Sequence, residues 1–215
     1  ADATEIFNLM TSGSMSGRRY TELLVSPLTM KPRLLHLIER EIQHHDERGD
    51  GVIQLKTNAL EDIDIVRALY KATQAGVQVD LIIRDSCRLR PGLPGLSESA
   101  RVVSVVGRFL EHARLYYFRN GGSEEYYIGS ADLMTRNLES RVEVLTPIKA
   151  VEMMDELRTF IDLQLEGRAG AWEMNSDGAY EMWEAESADI HSQLELVERI
   201  RNQSSSGTSS SQKRL

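Results

Sequence analysis

From Glu22 to Ile83 the chain repeats one alternation, and that alternation limits the folds open to it. Glu22 to Val25 (ELLV) reads as a short strand, ended by Ser26 and Pro27. From Lys31 to His45, Leu34, Leu35, Ile38 and Ile42 fall at helical spacing. Arg48-Gly49-Asp50-Gly51 closes that helix. Val52 to Thr57 (VIQLKT) alternates with period two, as a half-buried strand does. Glu61 to Ala75 is helical, with Ile65, Val66 and Leu69 inward and Gly76 at its end. Val77 to Ile83 (VQVDLII) is a third strand. Strand, helix, strand, helix, strand predicts an α/β fold: a mixed or parallel sheet with helices packed on it.

After Arg84 the alternation stops. Pro91, Gly92, Pro94 and Gly95 make a loop, with Arg88 and Arg90 at its start. Strands follow at Arg101 to Val106, Leu115 to Phe118 and Tyr126 to Ile128, the last two joined by a turn at Asn120-Gly121-Gly122. Arg141 to Leu145 is a further strand, which Pro147 is expected to end. Val151 to Leu165 is an amphipathic helix through Met154, Leu157, Ile161 and Leu165. Ala171 to Met174 and Ala179 to Trp183 read as a peripheral hairpin around Asn175-Ser176-Asp177-Gly178, and Ser187 to Arg201 as an acidic helix. Ser204 to Ser211 (SSSGTSSS) has the composition of a disordered tail. The chain thus divides into the end of a preceding segment (a helix at Glu5 to Met10) and linker, 1–20; an α/β domain, 21–167; a peripheral C-terminal extension, 168–203; and the tail, 204–215. It begins at Ala1 without Met, as a piece of something longer would.

Within this plan, Arg108 to Asn137 carries the chemistry. His112 falls before one strand and Gly129-Ser130 after its neighbour. An imidazole, a hydroxyl, a free backbone amide at Gly129 and the guanidinium of Arg114 or Arg136 would meet there. That set suits phosphoryl chemistry, because a neutral imidazole can attack phosphorus or pass a proton and a guanidinium fork matches two phosphate oxygens. Arg84 follows an apolar strand directly, at the end where open sheets bind ligands. Glu111 adjoins His112, but neighbours on a strand point oppositely. The plain alternatives are a strand-end histidine, a turn at Gly129-Ser130, and a surface ion pair from Arg84 to Asp85 or Glu61. His36, His44 and His45 are expected to be solvated, and His191 to carry nothing.

A net charge of −8 argues against non-specific nucleic-acid binding. Cys87 is the only cysteine, which fits a reducing, cytosolic setting without disulfides. No apolar run is as long as an integral membrane span, and neither a Walker loop nor a Cys/His metal cluster is present.

The segments RFLEH-x-R, YIGSAD and RN-x-x-x-R-V-E-V in Val103 to Leu145 closely resemble the C-terminal region of bacterial polyphosphate kinase. So do LLVSP with its helix, KTNALED (Lys56 to Asp62) and QAGVQVDLIIRD (Gln74 to Asp85). The resemblance runs from about Thr4 to Trp183. It implies a phospholipase D-like mixed β-sheet flanked by α-helices, the second of two such domains in those enzymes. The superfamily's His, basic residue and Gly-Ser turn stand here as His112, Arg114 and Gly129-Ser130. Arg114 replaces the usual Lys, Asp132 stands where the phosphodiesterases have Asn, and the spacing to Gly-Ser is longer.

The resemblance further implies reversible transfer of the γ-phosphoryl of ATP to polyphosphate through a phosphohistidine. That histidine, and the residues that hold most of the Mg2+, would lie in a domain absent here. His112 would be catalytic and would bind the ATP phosphates together with Arg84, with Arg114, Ser130, Arg136, Lys56 and Asn58 supporting. No metal ligand is expected in this chain. The partners implied are ATP, ADP and polyphosphate, without nucleic acid. A homo-oligomeric, cytoplasmic enzyme is implied, with peripheral membrane association left open. The alternatives are a phosphodiesterase half-site and a non-catalytic docking or oligomerisation module.

Overall fold

The alternation at the start of the chain builds the centre of one sheet. In the computed structural model, which describes residues 2–12, 19–166, 169–183 and 191–211, β2 (Val52–Thr57) pairs in parallel with β3 (Gln78–Ile83). β3 pairs in parallel with β4 (Ala100–Val105). On the other side of β2 lie three strands in antiparallel sequence: β5 (Leu115–Phe118), β6 (Glu125–Gly129) and β7 (Glu143–Ile148). β1 (Leu24–Ser26) closes that end against β7, and β8 (Ala171–Met174) with β9 (Tyr180–Met182) extends the other from β4. The nine-stranded mixed sheet has the order β1-β7-β6-β5-β2-β3-β4-β8-β9.

Side-chain alternation on these strands divides the core in two. Ile53, Leu55, Leu81, Tyr116 and Phe118 pack with Leu34, Leu37 and Ile38 of α2 (Met30–Arg48) and with Ile65 and Leu69 of α3 (Ile63–Gln74). Ile82, Val103, Leu115, Tyr117 and Tyr126 pack on the opposite face with Ile161 and Leu165 of α5 (Val151–Leu165). Three further α-helices, α1 (Asp2–Ser12), α4 (Thr135–Glu139) and α6 (Ser192–Ser211), and a 3-10 turn at Asn120–Gly122 complete the described elements.

Several expectations are corrected. Pro147 does not end its strand: β7 runs through it, with Pro147 opposite Tyr127. β1 covers β7 only at Glu143–Leu145, so Pro147 sits where β7 is an edge, and there a missing N–H is tolerated. The C-terminal hairpin is peripheral as expected, and it extends the edge of the sheet by pairing with β4. α6 carries helix through 204–211, the first part of the expected disordered tail. Extending a formed helix fixes one residue per added bond, which is far easier than starting one. The linker residues 13–18, the boundary at 167–168, residues 184–190 and the last four, 212–215, lie outside the described residues. His45 is half-buried and its Nδ1 accepts from the Gly51 N–H at 3.1 Å, a link across the turn from α2 to β2.

Strand direction puts the ends of β2, β3, β4 and β6 and the starts of β5 and β7 along one edge of the sheet. Lys56, Asn58, Arg84, His112, Arg114 and Ser130 all come from that edge.

Candidate active site at the carboxyl edge of the sheet

Asp132 is the hub of one half of this edge. Its Oδ1 accepts from the Thr57 hydroxyl, the Asn58 backbone N–H and the Asn58 Nδ2, each at 2.9 Å. Arg114 closes a fork on it, Nε to Oδ1 at 3.1 Å and Nη2 to Oδ2 at 3.0 Å. Burial alone would raise the Asp132 carboxyl, but the Arg114 guanidinium and the Asn58 and Thr57 donors outweigh it and hold the group at about 2. The third guanidinium nitrogen of Arg114 donates to the His112 carbonyl at 2.9 Å. Arg114 and Asn58 are therefore spent on bracing the sheet edge, not turned outward to a ligand. Nothing local in the sequence announces this: Thr57 and Asp132 are 75 residues apart.

Glu111 is the hub of the other half. Its Oε2 meets the Lys56 ammonium at 2.8 Å, with Lys56 only 3% exposed. Gln164 of α5 donates to Oε2 at 3.2 Å, and Gln193 of α6 to Oε1 at 2.7 Å. Burial pushes Glu111 up, yet Lys56 and the two amides prevail and its carboxyl lies below the usual range. Burial pulls the Lys56 ammonium down against the attraction of Glu111. The Glu111 carbonyl accepts from Arg84 Nη1 at 2.8 Å. The Glu111 carboxylate thus serves Lys56, not the His112 ring.

The remaining expectations fare unevenly. His112 is exposed, and its imidazole makes no hydrogen bond among the described residues. Arg84 is half-buried; it bonds to Glu111, not to Asp85 or Glu61, and keeps four N–H groups without a described partner. The Gly129 amide is not free but donates to the Arg114 carbonyl at 3.4 Å. Gly129 is needed there because a Cβ would collide with the Val144 carbonyl of β7. Ser130 donates to Glu143 and accepts from the Val144 N–H, so its hydroxyl is held by β7. Arg136 is exposed on α4 and contacts Met134 Sδ, apart from this cluster. His191 is half-buried and does carry something: its Nε2 donates to the Val106 carbonyl at 3.0 Å. The reading of the sequence missed Gln164 and Gln193. An amide at position 164, on the Ile161–Leu165 apolar stripe of α5, was the available signal for the first; Gln193 had none.

Among the described residues no group of three His, Cys, Asp or Glu side chains is placed to hold a metal ion. The Asp132 and Glu111 carboxylates are neutralised by Arg114 and Lys56, and Glu143 accepts from Ser130 and Asn137, so this donor set does not fit magnesium. At this edge the His112 imidazole and four N–H groups of Arg84 have no described partner.

The family model described as Polyphosphate kinase C-terminal domain 2 matches residues 23–193. The chain belongs to the polyphosphate kinase family. A polyphosphate kinase of Prosthecochloris aestuarii is 50% identical over 179 residues, covering 83% of this chain and 25% of that protein. One of Thermosynechococcus vestitus is 50% identical over 180 residues, covering 84% and 24%. The chain thus spans about a quarter of the polyphosphate kinases it matches. The crystal structure of polyphosphate kinase from Porphyromonas gingivalis superposes with a TM-score of 0.86 at 32% identity, over 94% of this chain and 31% of that one. Nuc from Salmonella typhimurium, a phospholipase D family member, covers 72% of this chain and 97% of its own at a TM-score of 0.53 and 15% identity. That likeness is one of fold, and it bears out the phospholipase D-like sheet.

Proposed function

We propose that this chain supplies one wall of a polyphosphate kinase active site. The enzyme would transfer the γ-phosphoryl of ATP reversibly to the end of a polyphosphate chain, by way of a phosphohistidine outside this chain. Arg84 holds nucleotide phosphate oxygens, and His112 gives or takes the proton as the phosphorus–nitrogen bond breaks or forms. The observation that carries the reading is that both come to one edge, Arg84 bonded at 2.8 Å to the carbonyl of the residue next to His112. Magnesium, if the reaction uses it, is held by residues beyond this chain. The family resemblance also supports a cytoplasmic homo-oligomer. A phosphodiesterase reading has less support, because Arg114, the basic residue two after His112, is closed on Asp132.

The test is polyphosphate synthesis by the full-length enzyme carrying this domain. His112→Ala is expected to lose roughly 10²–10⁴ in rate, the usual worth of a positioned acid or base. Arg84→Ala is expected to lose about one to two decades, from a charge-assisted bond of about 1.5–3 kcal/mol. Arg84→Lys should recover only part, since an ammonium cannot grip two oxygens in one plane. His36→Ala, exposed on α2, is the control. A folded His112→Ala enzyme with near-normal turnover would return His112 to a plain strand-end histidine.

A further inference from the structure

The loop that presents His112 is not fixed by apolar packing. Val106, Phe109 and Leu110 are 57, 48 and 77% exposed. It is fixed instead by polar groups: Lys56 of β2, Arg84 after β3 on the Glu111 carbonyl, Gln164 of α5, His191 just before α6 and Gln193 within it. His191 holds the Val106 carbonyl at 3.0 Å. The Gln193 amide clasps Phe109 in both directions, accepting from its N–H at 2.9 Å and donating to its carbonyl at 2.8 Å. The Glu111 side chain is then gripped by Lys56 from β2, Gln164 from α5 and Gln193 from α6. His112 follows immediately, and its own carbonyl is held by Arg114.

An ammonium and a carboxylate this deeply buried are a poor way to gain stability. The cost of removing both from water rivals their attraction, and an apolar pair of similar volume does as well or better. What the pair supplies that an apolar pair cannot is directional fixation of a loop otherwise exposed. Gln193 can donate and accept at once, so a single side chain from α6 fixes both Phe109 and Glu111.

We propose that Lys56, Glu111, Gln164 and Gln193 are positioning residues that set the place of the His112 loop, and that α6 thereby becomes part of the active site. This rests on the assignment of His112 given above, and it gives the supporting role expected of Lys56 a specific form, the holding of Glu111.

The experiment compares Lys56→Met/Glu111→Leu, Gln193→Leu and His112→Ala in the full-length enzyme. The double variant leaves no unpaired buried charge, so its thermal midpoint should stay near that of the parent. Its kcat is expected to fall about 10–100-fold, the scale of an ångström of misplacement, with a smaller change in KM for ATP. Amide hydrogen exchange of residues 106–113 should quicken. Gln193→Leu, outside the ion pair, should show the same exchange change and a milder loss of kcat, and it stands in if the double variant fails to fold. Parental kcat with parental exchange at 106–113 in either folded variant overturns the proposal. The two failures separate cleanly. If His112→Ala keeps turnover, the site assignment falls; if His112→Ala is inactive while the positioning variants keep full kcat, only the positioning role falls.

Discussion

At the scale of single residues, Asp132 does most to shape the edge. It joins the end of β2, the start of β5 and the exit of β6 through Thr57, Asn58 and Arg114. Its carboxyl is held at about 2, below its ordinary value of 3.8. A depressed carboxyl stabilises the fold above its unfolded value, and that contribution is lost as pH falls through the folded one. The loss should therefore run from about pH 4 to about pH 2. Screened as a partly solvated group, it is worth on the order of 1–2 kcal/mol. Asp132→Asn keeps the shape but not the charge opposite Arg114. Urea midpoints measured from pH 7 to pH 2 should show Asp132→Asn less stable at neutral pH, with the gap to the parent closing below pH 4. A gap that stays constant down to pH 2 would show that Asp132 is not the group responsible.

At the scale of elements, α3 shows what a cap can do in company. Asp62 accepts from the Asp64 and Ile65 N–H groups at 3.1 and 3.2 Å, and it also takes Lys31 at 2.9 Å and the Thr135 hydroxyl at 3.1 Å. One carboxylate thus starts α3 and pins α2 and α4 to it. Losing a cap alone costs about 1 kcal/mol, and here a half-buried ion pair with Lys31 goes too. Asp62→Ala is expected to cost about 2 kcal/mol by denaturant midpoint and Asp62→Asn less than half of that; equal losses would mean that charge, not capping, dominates. Elements of this kind were largely legible in the sequence. Val52–Thr57, Leu115–Phe118, Val151–Leu165 and Ala171–Met174 form as the periodicity says, because each carries its own apolar face. The passage of β7 through Pro147 was not legible, since it depends on how far β1 reaches along β7. The site divides the same way. The position of Arg84 and His112 follows from strand ends, which are local. The commitment of Arg114, Asn58 and Lys56 to Asp132 and Glu111 depends on partners far along the chain, which no spacing rule reveals.

At the scale of the molecule, the edge offers few groups free to act on a ligand. Asp132 and Glu111 are neutralised internally, Arg84 and the His112 imidazole keep groups without a described partner, and among the described residues the donor set does not fit a metal ion. Phosphoryl transfer in solution-accessible geometry needs the donor, the acceptor and a counter-charge held together. One imidazole and one guanidinium can hold a phosphate, but they do not bring a second phosphate into line with it. On the proposed reading the phosphorylated histidine lies outside this chain, which spans about a quarter of its relatives. The isolated chain, incubated with ATP and magnesium, is therefore expected to yield no long polyphosphate. It is nevertheless expected to fold, because both faces of the sheet are covered by helices of its own, α2 and α3 on one and α5 on the other. Limited proteolysis should spare Val52 to Ile83, the centre of the sheet, and early cutting there would show that the isolated chain does not fold. Adding the remainder of the enzyme in trans to the folded chain provides the decisive arm. Synthesis restored by the mixture, and lost again with His112→Ala, places the missing half of the chemistry outside this chain. Robust synthesis by the isolated chain would instead mean that His112 itself carries the phosphoryl group.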